Sequence, residues 1–124
     1  MTRARLRRFR RHLENELGAT KLRLAEHRQE ISAERSAESA EDASVDIERE
    51  LASIALTRDS ELLREIEAAL IRVKEGSFGT CANCGKEIAR MRLDAVPWSA
   101  LCVRCQSIAD ARSRPQGETG AAAA

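Results

Sequence analysis

Four cysteines, set as two Cys-x-x-Cys pairs with seventeen residues between them, constrain this chain more than any other feature. The pairs are Cys81-Ala-Asn-Cys84 and Cys102-Val-Arg-Cys105. Each pair brings two thiolates about one ligand edge apart, and four sulfurs at roughly 2.3 Å complete a tetrahedron around Zn²⁺. Gly85 follows the first pair, where a tight turn calls for a residue free to adopt positive φ. Lys86, Arg90, Arg92 and Arg104 are close enough in sequence to offset the formal charge of a four-thiolate centre. Such a closed site leaves no open position for water, so one structural zinc ion is expected, and no enzyme. The competing reading is two unrelated thiol pairs or redox disulfides. A thioredoxin-like role would need a βαβ setting, which the pattern lacks. The Arg-rich start is not followed by an apolar stretch of the kind that makes a secretory signal. A reducing, cytoplasmic setting is therefore expected, in which thiols serve as metal ligands.

Long helices are expected before the cysteines. From Arg3 to Lys74 there is no proline and one glycine, Gly18. Aromatic residues number only three, Phe9, Phe78 and Trp98, so a thick aromatic core is excluded and solvated helices suit the composition. Leu17, Leu24 and Ile31 recur every seven residues, and Leu6, Leu13, Thr20 and His27 form a second series offset by four. Together they make an a/d stripe, weakened at Arg10, Thr20 and His27. Leu56, Leu63 and Leu70, with Ile66 and Val73, form a second stripe. Ile47, Leu51 and Ile54 share a face that falls out of step with it, which reads as a stutter. His27 is expected to be packed on the stripe, and His12 carries no metal spacing.

Between the stripes, Ser36 to Ser44 holds no large apolar residue. Ser39 with Asp42 three residues on resembles a capping box. The spacing predicts a reversal near Ser36 to Ser39 and two helices of about 34 residues, hence a hairpin roughly 50 Å long. One unbroken helix that dimerises is the competing picture. The expected architecture is mainly α. Residues 1–75 form a long antiparallel helical hairpin with an acidic tip near 36–44. Residues 76–112 form a small four-cysteine zinc finger and a short C-terminal helix, and 113–124 a disordered tail. Phe78, Ile88, Leu93, Val96, Trp98 and Leu101 are the expected packing of the finger.

The net charge of +1 hides a strong segregation. Residues 3 to 11 carry six arginines, whereas 38 to 50 carry Glu38, Glu41, Asp42, Asp46, Glu48 and Glu50 against Arg49 alone. The arginines admit two readings, a solvated helix start or a phosphate-binding arm. No apolar run reaches the length of a membrane span.

The finger resembles a known family. Phe78-Gly79-Thr80-Cys81-x-x-Cys84-Gly85, then Ile88, Arg92, Pro97, Cys102 and Cys105, matches the DksA/TraR zinc-finger pattern without a gap. The preceding helix, from Arg58 through Ile66, Leu70 and Val73, is similar to the family's second coiled-coil helix. The resemblance covers roughly residues 38 to 112. It implies a regulator that binds bacterial RNA polymerase and inserts its coiled-coil tip into the secondary channel. It lays Glu38, Glu41 and Ala43 on the family's Asp-x-x-Asp-x-Ala tip, with Asp42 between, and so substitutes Glu for Asp twice. Family members that bind guanosine tetraphosphate use basic residues at positions that here are Glu65, Val96 and Gln106. Only Leu62 nearby is retained, so the resemblance argues against a nucleotide site on this chain. A monomer that reads no DNA sequence is expected. The alternative is a zinc-ribbon nucleic-acid binder acting through the Arg-rich arm, and a third class is a dimeric coiled-coil adaptor.

Overall fold

The computed structural model describes residues 1–37 and 43–113, with side chains described for 1–32 and 46–113. Four helices follow in order: α1 (Arg3–Ala37), α2 (Ala43–Glu75), α3 (Arg90–Ala95) and α4 (Val103–Ser113). The first two hold 35 and 33 residues, so each runs about 50 Å at 1.5 Å per residue. They lie antiparallel. Arg23 and His27 meet Asp59 across the pair, and Leu6 shares a groove with Leu70 and Val73 near its base. The hairpin reading holds, and the single unbroken helix does not. The tip residues Glu38, Glu41 and Asp42 lie outside the described residues, and Ala43 is described only as the first residue of α2. Residues 114–124, which include most of the expected tail, also lie outside them.

Both seven-residue series of α1 face α2. Leu13, Thr20 and Leu24 are buried, and Leu6, Leu17, His27 and Ile31 are half-buried. On α2 the inward positions are Arg49, Ala52, Leu56, Asp59, Leu63, Ile66, Leu70 and Val73, all buried or half-buried. These alternate by three and four without interruption, so the seam has no stutter. Ile47, Leu51 and Ile54 instead stand in solvent, 59%, 60% and 45% exposed. The expected stutter is thus corrected. In the outer half of the seam α2 contributes an arginine, an alanine and an aspartate with Leu56 as the one large apolar residue, while Ile47, Leu51 and Ile54 lie on the opposite side. Apolar spacing alone pointed to the wrong face.

A polar layer takes the place of apolar packing midway along the hairpin. The Asp59 carboxylate pairs with Arg23 Nε at 3.4 Å and with His27 Nε2 at 3.2 Å. Arg23 also donates to Thr20 Oγ1 at 3.1 Å, which satisfies a fully buried hydroxyl.

The core sits at the open end of the hairpin and is shared with the finger. Phe9, Leu13, Ile66 and Ala69 from the helices pack with Phe78, Cys81, Ile88, Leu93 and Cys105. Phe9 and Phe78 meet as tilted rings 5.3 Å apart, a favourable aromatic geometry that fixes α1 onto the finger. Helix α2 ends at Gly76, whose φ of 85° lets the chain turn back. The N–H groups of Gly76, Ser77 and Phe78 all donate to the Arg72 carbonyl there. The Arg72 side chain then reaches the Trp98 carbonyl at 3.1 Å, a second tie between hairpin and finger. With so few aromatics, the fold concentrates its packing where hairpin and finger meet.

Candidate metal centre

The first cysteine pair sits on a short reversal. The Cys81 N–H donates to the Lys86 carbonyl at 2.8 Å and the Gly85 N–H to the Cys81 carbonyl at 3.0 Å. An antiparallel bridge pairs Thr80 with Glu87, and Ile88 N–H donates to Gly79. Gly85 takes φ of 75° between the two arms, a conformation that side-chain-bearing residues rarely adopt. The second pair is set by a helix start. Cys102 immediately precedes α4, its carbonyl accepts from Gln106 N–H at 2.9 Å, and its sulfur accepts from Cys105 N–H at 3.5 Å. A thiolate at a helix N-terminus is favoured by the exposed N–H groups and the helix dipole.

Two further contacts hold these segments together. Ala82 N–H donates to the Ala100 carbonyl at 2.9 Å, joining the first reversal to the second. Arg92 Nε donates to Ser99 Oγ and to the Leu101 carbonyl, each at 3.1 Å, and Ser99 is 7% exposed. Arg92 therefore pins the segment that delivers Cys102. Its expected role as a counter-charge is secondary to this one. Pro97 is fully buried, Phe78, Ile88 and Leu93 are buried, and Trp98 and Leu101 pack half-buried beside them. Val96 is half-buried and stands outside that cluster.

The four sulfurs converge. Those of Cys81, Cys84, Cys102 and Cys105 all lie within 4.8 Å of one another. Cys84 and Cys102 are 3.9 Å apart. A disulfide needs about 2.05 Å. Four ligands at about 2.3 Å in a tetrahedron stand about 3.8 Å apart, close to the distance seen. Among the described residues no other group of histidine, cysteine or acidic side chains could hold a metal ion. His12 pairs with Glu16, and His27 is taken up by Asp59.

The electrostatics point the same way. Backbone N–H groups of Cys84 and Cys102 directed at the Cys81 sulfur hold its pKa down to about 6. At Cys105 the amide of Asn83 favours the thiolate, but the Cys102 thiol, burial and the other sulfurs outweigh it and push the pKa up to about 11. Four thiols this close cannot all ionise unless a cation shares the site. The donor set therefore fits a single structural zinc ion. Asn83 is the one participant that the sequence did not disclose. Its Nδ2 donates to Cys105 Sγ at 3.4 Å. Only the bend of the first reversal turns this intervening side chain toward the second pair.

Fold and site together define a class: a long helical hairpin seated on a four-cysteine zinc finger. Residues 76–111 match the family described as the prokaryotic dksA/traR C4-type zinc finger. The chain is similar to the RNA polymerase-binding transcription factor DksA of Escherichia coli, with 39% identity over 57 residues, 46% of this chain and 38% of that protein. An uncharacterized protein of Aquifex aeolicus is 46% identical over 43 residues, 35% of this chain and 30% of that one. These alignments thus span under half the length of the curated relatives. The structure of transcription factor DksA2 from Pseudomonas aeruginosa superimposes over 93% of this chain and 90% of that one, with TM-score 0.79 and 27% identity. The chain carries a DksA/TraR-family zinc finger on a DksA-like hairpin, as the motif from Phe78 to Cys105 implied.

Proposed function

We propose that this protein is a non-enzymatic transcription regulator that binds bacterial RNA polymerase directly in the cytoplasm, as a monomer, and reaches into the secondary channel with its acidic tip. The observation that carries this reading is the likeness to DksA2, which extends over hairpin and finger together and so includes the arm as well as the metal module. The relatives whose printed role is polymerase binding support it further.

The division of labour follows from the architecture. Cys81, Cys84, Cys102 and Cys105 hold zinc and thereby fold the base, residues 76–112. In a closed four-sulfur site the ion supplies structure and no reactive water. The shared core around Phe9 and Phe78 makes base and arm one body. The arm is about 50 Å long, and the tip role falls on this reading to Glu38, Glu41, Asp42 and Ala43, which follow the last residue of α1 in sequence. Near the start of α2, Ile47, Leu51 and Ile54 leave an apolar stripe in solvent. Exposed apolar surface of this kind marks contact with a protein partner. The stripe would grip the channel wall while the acidic tip acts ahead of it.

The test is direct. The zinc-loaded protein, immobilised, should retain purified bacterial RNA polymerase, and adding a second channel-binding factor should displace it. Failure to retain polymerase, or retention unaffected by that competitor, would reject the reading.

A further inference from the structure

Among the described residues, four of the six N-terminal arginines, Arg3, Arg7, Arg8 and Arg11, have no side-chain partner, and a fifth, Arg10, has only an exposed one. Arg3, Arg7, Arg8, Arg10 and Arg11 are all exposed on the first turns of α1. The opposite side of the same turns, Phe9 and Leu13, is buried against α2 and the finger. Among the described residues only Arg10 of this set is ion-paired, to Glu14 at 3.8 Å with both side chains more than half exposed. Arg3, Arg7 and Arg11 fall at i, i+4 and i+8, so their positions succeed one another along one face of the helix with a rise of about 6 Å each. Lys74 of α2 lines the groove beside Arg7 and Arg10, where Glu14 is the one acidic residue, and extends the positive surface across the helix pair.

This arrangement works against the fold. Like charges at i and i+4 destabilise a helix. Cations at a helix N-terminus oppose its dipole, and the first turn holds no acidic residue to relieve them. A solvated face needs none of this and is usually mixed in charge.

We infer that this face of α1 is a contact surface for the sugar-phosphate backbone of duplex nucleic acid, without sequence readout. All six cations are arginine and none is lysine, which favours the forked, bidentate donor that matches phosphate oxygens. A base-stacking platform is ruled out by Phe9, which is 6% exposed and already packed on Phe78. A membrane surface would need the apolar side of α1, which is already buried in the core. A contact with an acidic protein surface would ordinarily set such arginines among desolvated aromatic or apolar side chains. After Met1, the next large apolar residue exposed on α1 is Leu22, well beyond the arginines. A regular row of phosphates needs no such apolar setting.

The inference stands apart from the polymerase reading, and its test contains no polymerase. The zinc-loaded full chain is titrated by fluorescence anisotropy against a short labelled DNA duplex between about 50 and 200 mM salt. We expect log K to fall linearly with log salt with a slope near −4, from four to five phosphate contacts, and equally for a duplex of unrelated sequence. The triple variant R3Q/R7Q/R11Q should lose about 2 to 3 units of that slope while keeping its zinc and its helicity. The triple R3K/R7K/R11K should keep the slope, which guards against an effect of altered helix structure. No duplex binding at about 50 mM salt, or an unchanged slope in the glutamine triple, would overturn the inference. Equal affinity for polyglutamate would also overturn it, in favour of an acidic protein partner.

Discussion

Asn83 shows how a single residue outside the ligand set can tune it. Its amide hydrogen reaches the Cys105 sulfur at 3.4 Å, and Cys105 is the thiol most reluctant to ionise. Hydrogen bonds from outside the first coordination sphere usually change metal affinity by about 10–100-fold. Asn83→Ala should therefore lose zinc to a chromophoric chelator at concentrations about tenfold lower than the parent requires, with the folded structure retained. An unchanged competition curve would reduce Asn83 to a bystander. The ligands themselves answer differently. Cys84→Ser or Cys102→Ser should lose most of the metal and unfold the finger, because binding energy in such modules is folding energy. Full zinc occupancy in either mutant, by metal analysis, would contradict this. The four cysteines were legible in the sequence because their spacing alone fixes how close the sulfurs can come. Asn83 was not, because whether an intervening side chain turns toward the other pair depends on the reversal around Gly85. Arg92 was legible only as part of a motif. Its work at Ser99 and Leu101 emerges once the loop is folded.

The hairpin seam departs from a uniform apolar stripe at Thr20, Arg23, His27 and Asp59. Polar groups at such positions fix register at some cost in stability. Asp59 is the hub, 15% exposed, and its removal leaves two donors across the seam without an acceptor. Asp59→Ala should destabilise the protein by about 1–2 kcal/mol, less than a fully buried charge pair because Arg23 is 42% exposed. The check is the urea midpoint at unchanged slope. Asp59→Leu should recover part of the loss through apolar contact but broaden the unfolding transition, as register becomes less defined. A sharp, parent-like transition in Asp59→Leu would show that the layer does not specify register. The inner half of the seam, from Leu63 to Val73, was legible because large apolar residues mark it. The outer half was not. There Leu56 is the only large apolar residue among the inward positions of α2, Arg49, Ala52 and Asp59 carry no apolar signal, and the exposed Ile47, Leu51 and Ile54 carry a false one. That mismatch is itself informative, since a stripe kept apolar in solvent is better explained by a partner than by folding. Leu51→Ser should leave the melting temperature within about 0.5 kcal/mol equivalents of the parent, as surface changes do. Its effect should fall on retention of RNA polymerase. Normal retention would show that the stripe is not part of the contact.

Across the whole molecule, charge is segregated: arginines 3 to 11 open α1 beside the finger, while Asp46, Glu48 and Glu50 lie in the first turns of α2, away from it. By the family resemblance, the positions where nucleotide-binding members carry basic residues fall on Glu65, Val96 and Gln106, and none of these is basic. The effect on transcription should therefore be the same with and without guanosine tetraphosphate, once the polymerase's other nucleotide site is disabled. A large nucleotide-dependent gain there would contradict the reading. The tip decides the mechanism. Its residues belong to no core cluster among the described residues, and charged surface residues of this kind contribute little to folding. Changing Glu38 and Glu41 together to Asn should leave zinc content and helicity intact. Polymerase binding should weaken only modestly if, as proposed, the flanks and the finger supply most of the contact. Initiation should lose its response, since charge placed at one point beside a reacting centre acts through that point alone. Glu38→Asp with Glu41→Asp separates charge from reach. It restores the residue type of the family tip and shortens each side chain by one methylene. If reach is matched to this chain's own arm, the Asp pair will regulate less well than Glu at equal occupancy. If charge alone matters, the two will be equal. Should the Asn pair regulate as well as the parent while binding normally, the acidic end is only a solvated turn and the polymerase is controlled from the flanks of the hairpin.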